Sequence, residues 1–162
     1  MIEARNNQKK FSINQNEKIF KRINDDLSII RDIILENFND VESIILAGGF
    51  GRGEGSVLVH ENEVQPINDY DLYIITKLNN QKNIINKVRN LLSSKIKIRQ
   101  VDLEVIPIKK LKSLKPTMAN YDLKYASYVF YGNSKILNLI PKIDSQKLSL
   151  KEGRTPLLLY LI

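Results

Sequence analysis

The chain has 162 residues, a length that suits one domain with a short appendage and allows a real core to be buried. With 43% apolar and 27% charged residues, 7 glycines and 5 prolines, it has the composition of a folded globular protein, neither disordered nor collagenous. No apolar run approaches the roughly 18 residues that span a bilayer, and zero cysteines exclude disulfides, Cys-ligated metals and a Cys nucleophile.

The first residues, Met1-Ile2-Glu3-Ala4-Arg5-Asn6-Asn7, hold an early acid and no apolar stretch, so they do not read as a secretory signal, and a reducing cytoplasm is the expected compartment. A single histidine, His60, leaves no second imidazole for a two-His metal site and makes a Ser-His-Asp triad a poor reading. The net charge of +7 is uneven: residues 77–115 carry 11 Lys and Arg against two acids, Asp102 and Glu104. Such a region is an electrostatic footprint for polyanions, although a solvated helix face plus strand ends produces the same excess. No aromatic residue lies between Tyr73 and Tyr121 to stack on bases, so any nucleic-acid binding is expected to be weak and to collapse with salt.

Residues 12–38 predict a helix, because Ile19, Ile23, Leu27, Ile30, Ile34 and Phe38 recur at spacings of three and four. Ser12 with Gln15 offers a capping box, and Asn14 and Asn16 are rival caps. Residues 43–47 form a short continuous apolar run, a buried strand, and a glycine-rich loop follows. Residues 57–67 suggest an edge hairpin turning at Glu61-Asn62-Glu63, with Pro66 disfavouring a central strand. Residues 70–76 predict a strand. Asn79 or Asn80 then caps a helix to about Leu92, with Ile84, Ile85, Val88, Leu91 and Leu92 inward and Lys82, Lys87 and Arg89 outward.

Residues 96–107 predict a third strand whose parity breaks, since Ile96 and Ile98 share a face with Asp102 and Glu104; a bulge near Gln100 would resolve it. After Pro116 come a helix to about Ser127, a strand over 128–131 closed by Gly132, and a short helix before Pro141. Thr155-Pro156 is a good helix start, and its apolar continuation suggests the beginning of a C-terminal helical segment of a longer protein. The expected organisation is a domain over residues 1–145 and that segment over 146–162. The expected fold is α/β in the α+β sense, a small mixed β-sheet with helices packed on it and the site at one edge.

Five of the seven glycines lie between positions 48 and 55, where backbone must turn sharply or approach something closely. A dinucleotide-type G-x-G-x-x-G fails at Glu54 and Ser56, and no G-K-[ST] exists for a P-loop. What remains is a loop presenting backbone N–H groups to a phosphate, or a tight strand-to-helix turn without a ligand. Asp69 and Asp71, two apart in an extended segment, project from one face. At about 6.5 Å and an effective dielectric near 20 two such anions repel by roughly 2.5 kcal/mol, a cost that a cation offsets. Oxygen-only ligands suit Mg²⁺ or Mn²⁺. The alternative is that Asp69 turns the chain at the start of the strand while Asp71 pairs with a lysine. Asp102, among Val101, Leu103 and Val105, is a third carboxylate, and Glu104 shares its parity.

Gly48-Gly49 after an apolar strand, then Arg52-Gly53-Glu54, then Asp69-x-Asp71, then Asp102 on a later strand together resemble the nucleotidyltransferase superfamily with the DNA polymerase beta-like palm. The resemblance covers residues 43–107. Two departures are a long segment between Glu54 and Asp69, and Gly49 where many members carry Ser. The resemblance implies transfer of a nucleoside monophosphate from an NTP to an acceptor hydroxyl, with release of pyrophosphate. It implies that Asp69 and Asp71 hold divalent ions and that Asp102 ligates one of them and helps remove the acceptor proton. Gly48 and Gly49 would hold the β- and γ-phosphates through backbone N–H groups, with Arg52 or a lysine adding charge. The acceptor is open: an antibiotic, a sugar, a protein side chain or an RNA end, with a helical C-terminal region or a partner subunit to help choose it. A second reading is a non-catalytic domain of this kind that binds nucleotide, RNA or a partner protein. A third is a purely structural domain.

Overall fold

In the computed structural model, which describes residues 9–14, 16–61, 63–77 and 82–148, the first helix, α1 (Glu17–Asn37), starts at Asn16. The Asn16 side chain accepts a hydrogen bond from the Lys18 N–H at 2.8 Å, satisfying one of the free donors of the first turn. Residues 12–14, expected inside the helix, precede this cap as bends, and Gln15 of the expected capping box lies outside the described residues. The expected stripe Ile19, Ile23, Leu27, Ile30 and Ile34 is buried.

After a left-handed turn at Asp40 the chain enters β1 (Val41–Ala47) and then a short helix, α2 (Gly48–Arg52), where a loop was expected. β2 (Val57–His60) and β3 (Glu63–Pro66) pair antiparallel as a separate hairpin. β4 (Tyr70–Thr76) follows, then α3 (Ile85–Ile96) behind a 3₁₀ turn at Lys82–Ile84; the expected caps Asn79 and Asn80 lie outside the described residues. β5 (Val101–Pro107) leads through a 3₁₀ segment, Ile108–Ser113, to α4 (Met118–Tyr125), capped by Thr117, and to β6 (Tyr128–Gly132). Short 3₁₀ turns at Ile136–Leu139 and Ser145–Lys147 complete the described chain. The boundary expected at 145/146 falls inside the last of these, and the Thr155-Pro156 helix start lies outside the described residues.

The sheet has the order β5-β4-β1-β6; β4 and β5 are parallel, joined over α3, and the other pairs are antiparallel. It is therefore the mixed α/β sheet expected. Apolar side chains cover both faces, which explains the uninterrupted Ile44-Ile45-Leu46 run. Ile44, Leu46, Leu72, Ile74 and Leu103 join the core formed with α1 and α3, while Ile45, Ile75 and Ile106 join Leu111, Leu123, Ile136 and Ile140. One expectation is corrected. No bulge interrupts β5 at Gln100: Ile96 is the last residue of α3, Lys97 ends that helix in the left-handed region at φ 53°, and the strand begins only at Val101. Ile96 and Ile98 are buried from the helix end and the turn after it, so they do not follow the strand's parity.

Arg22 ties the layers together. It bonds both oxygens of Asp26 at 3.0 Å, the Val64 carbonyl at 2.7 Å and the Ile96 carbonyl at 2.7 Å, while the Tyr70 hydroxyl donates to Asp26 at 2.8 Å. Burial raises the Asp26 carboxyl above its usual range despite the hydrogen bonds from Arg22 and Tyr70 that oppose the shift. Among the described residues no helix is long and apolar enough to cross a membrane.

Candidate active site

The turn from β1 into α2 is fixed by contacts on both sides. Phe50 is fully buried with its ring 4.9 Å from that of Tyr70, which pulls the glycine-rich segment onto the sheet. From outside, Lys9 Nζ donates to the Gly51 carbonyl at 2.6 Å and the Gly55 N–H donates to the Phe11 carbonyl at 3.0 Å. Gly48 sits at φ +60°, and a β-carbon there would lie 1.8 Å from Asp71 Oδ2. Only glycine fits that backbone conformation with a carboxylate so close.

Across the sheet Ala47, Asp71 and Asp102 form one row: Asp71 is the register partner of Ala47 in β1 and of Asp102 in β5. Register partners on neighbouring strands point to the same face, so the side chains of Asp71 and Asp102 lie side by side. Asp69 stands just before β4, in the turn and not in the strand from which its parity was read. Glu104 faces Tyr73 on the same face, one pleat further along.

Burial and charge crowding both act on the protonation of this group. Burial pushes the Asp71 carboxyl up to about 6, the charges of Asp102 and Asp69 add to the rise, and Arg52 opposes it. Asp69 is raised by burial and then by Asp102, with Arg99 opposing. Tyr73 is pushed up to about 12 by burial and by the acids around it, Glu104 and Asp71 first. Asp102 accepts a hydrogen bond from Gln100 Nε2 at 2.8 Å through Oδ1.

Arg52, expected to add charge to a phosphate, is held by two acids: its Nε donates to Glu54 at 3.0 Å and its Nη1 to Asp122 at 2.5 Å. It thereby braces α2 against α4. Asp122 is a third carboxylate acting on Asp71, after Asp102 and Asp69, that the sequence did not single out; it reads there as a helix-surface acid, and only the tertiary fold brings it beside residue 52. Lys9 and Tyr73 were missed for the same reason.

Among the described residues no three His, Cys, Asp or Glu side chains are gathered tightly enough to hold one metal ion. Magnesium does not need such a cage. It is commonly held by one or two carboxylates, with waters and substrate phosphates filling the other positions. The register pair Asp71 and Asp102, mutually repelling and hard-oxygen only, fits that mode.

No family model matches the chain, and no curated protein matches it. Solved structures do. The chain is similar to one in a mutant of the toxin-antitoxin MntA-HpeT, with 12% identity and a TM-score of 0.49 over 70% of this chain and 77% of that one. It is similar to a chain of the tri-AMPylated Shewanella oneidensis HEPN toxin in complex with MNT antitoxin, with 13% identity and a TM-score of 0.46 over 73% and 78%. It is also similar to a candidate nucleotidyltransferase from Sulfolobus solfataricus, with 16% identity and a TM-score of 0.43 over 76% and 94%.

Proposed function

We propose that the chain is a metal-dependent nucleotidyltransferase that moves a nucleoside monophosphate from an NTP to an acceptor hydroxyl. One observation carries the reading: Asp71 and Asp102 face each other in register on β4 and β5 while the backbone of Gly48 is pressed onto Asp71. A pair of acids is thus built beside a turn with no side chain at its first residue, so a triphosphate can lie against backbone at Gly48 and Gly49 and meet a cation held by the acids.

In this reading Asp71 and Asp102, with Asp69 at the rim, hold Mg²⁺ or Mn²⁺. When bound, the cation supplies positive charge to the triphosphate and to the acceptor oxygen. The acceptor oxygen bonds to the α-phosphorus as the bond from that phosphorus to the α,β-bridging oxygen breaks, and pyrophosphate leaves with the electron pair. The acceptor proton passes to Asp102, whose Oδ2 has no protein donor among the described residues. Arg52 keeps α2 in place through Glu54 and Asp122, which makes it a positioning residue.

The test is binding of ATP, GTP, CTP and UTP to the full chain, with and without Mg²⁺, followed by melting temperature. At least one nucleotide is expected to raise it in a Mg²⁺-dependent way that Asp71→Asn abolishes. No response to any nucleotide, or an undiminished response in the variant, overturns the proposal.

A further inference from the structure

β5 is an edge strand, and beyond Asp102 its outer side opens into a cleft of about 510 Å³ lined by Arg89, Asn90, Ser93, Arg99, Gln100 and Asp102. A second cleft of about 360 Å³, lined in part by Asp71, Tyr73 and Glu104, shares Arg89 and Asp102 with the first, so the two meet at those residues. The row Ala47, Asp71, Asp102 gives the arrangement a direction. The glycine turn stands at its β1 end and the cleft at its β5 end, with the carboxylates between them.

The lining has a definite chemistry. Arg89 is oriented by two bonds, from Nη2 to the Leu103 carbonyl at 3.2 Å and from Nη1 to Asn86 Oδ1 at 3.1 Å, while its buried Nε has no acceptor. An unmet buried donor is costly, and a guanidinium with one is not fully committed to the protein. Arg99 is exposed and lines the same cleft. Asn90, Ser93 and Gln100 add neutral hydrogen-bonding groups. Asp102 is the one acid of this cleft, on the side that faces Asp71.

We infer that this cleft is the acceptor site and that the acceptor carries an oxyanion, a phosphate or a carboxylate, beside the hydroxyl it presents to Asp102. The inference rests on the nucleotidyltransferase reading and names its substrate class. A cationic acceptor would face two guanidiniums, and a neutral one would leave their donors unmatched. An oxyanion takes charge-assisted bonds from both, which are stronger than neutral ones and fix orientation.

The full chain, labelled at the arginine side chains, is titrated without nucleotide with inorganic phosphate and, separately, with acetate, and the Nε–H signals of Arg89 and Arg99 are followed by NMR. Arg99→Ala is titrated in parallel, and the melting-temperature response to ATP with Mg²⁺ is measured on both proteins. The expected result is a saturable shift of both signals with one oxyanion or both, which identifies the phosphate or carboxylate source. Loss of one charge-assisted partner should weaken that binding about tenfold in Arg99→Ala, while the nucleotide response is kept. No saturable shift, equal binding in the variant, or a phosphate response confined to the backbone of Gly48 and Gly49 overturns the inference. Oxyanion binding at the arginines without any nucleotide response removes the transfer reading and with it the acceptor role, leaving an oxyanion site.

Discussion

Gly48 and Asp71 are in such close contact that a β-carbon on the glycine would fall 1.8 Å from Oδ2 and 2.7 Å from Cγ of the aspartate. The contact predicts a specific failure for Gly48→Ala. The left-handed backbone costs a residue with a β-carbon about 1–2 kcal/mol, while the Asp71 side chain can relieve the clash only by rotating away. The variant should stay folded, melt lower and lose Mg²⁺-dependent nucleotide binding. Gly49→Ala is the control, since its β-carbon would meet nothing closer than 3.7 Å and its N–H is retained. It should bind nucleotide like the parent. Denaturant titration with nucleotide melting curves checks both.

Asp71→Asn separates charge from shape. The folded carboxyl is pushed up to about 6 from its ordinary 3.8, so the folded state holds a proton more readily than the unfolded chain between those values. The stability that this gives is fully present below the unfolded value and is lost as pH rises through about 6. Asparagine has no such loss. Asp71→Asn should therefore melt higher than the parent at pH 7, with a margin of order 1 kcal/mol for this half-buried group, and the margin should shrink toward pH 4. Melting curves from pH 4 to 7 read this directly; an unchanging margin would remove the charge argument.

The strands that carry the acids were legible because apolar runs bounded by turns are unambiguous: Ile44-Ile45-Leu46 and Leu72 to Ile75 lie where the pattern puts them. The start of β5 was not, because Ile96 and Ile98 are apolar for the sake of a helix end and a turn that bury them against the same core. α2 was read as a loop since glycine is a poor helix former. Its single turn exists because Phe50 is buried beneath it and Lys9 and Phe11 hold it from above, contacts made across about forty residues of sequence. Within the site, residue types and order were readable. The brace from Arg52 to Asp122 was not, because 70 residues separate the partners and Asp122 carries no local signal.

Arg22 and Asp26 lie one turn apart on α1, and Asp26 is only 3% exposed. Removing the cation leaves a buried carboxylate with one neutral donor, Tyr70, and frees the Val64 and Ile96 carbonyls. Breaking such a pair from one side costs about 3–5 kcal/mol, so Arg22→Leu should destabilise the chain by about 3 kcal/mol in urea titration. Tyr70→Phe removes only one buried hydrogen bond and should cost about 1–2 kcal/mol. A smaller loss in Arg22→Leu than in Tyr70→Phe would show that the ion pair does not organise this junction.

The lysine-rich stretch divides at β5. Lys95 and Arg99 lie at the end of α3 and in the turn before the strand, while Lys109, Lys110, Lys112 and Lys115 follow the strand's other end. Seven residues of strand place the two groups roughly 20 Å apart, about two Debye lengths at physiological salt. The charges are thus spread along the strand, and no aromatic residue between Tyr73 and Tyr121 is available for stacking. Binding to single-stranded RNA or DNA should be weak at low salt and fall steeply with added salt, as expected when phosphate contacts alone hold the complex. Replacing Lys109, Lys110 and Lys112 with Gln should weaken that binding while leaving the nucleotide response at the other end of β5 intact. Fluorescence anisotropy at two ionic strengths decides the matter: tight, sequence-selective binding that survives physiological salt would make a nucleic-acid end the leading acceptor.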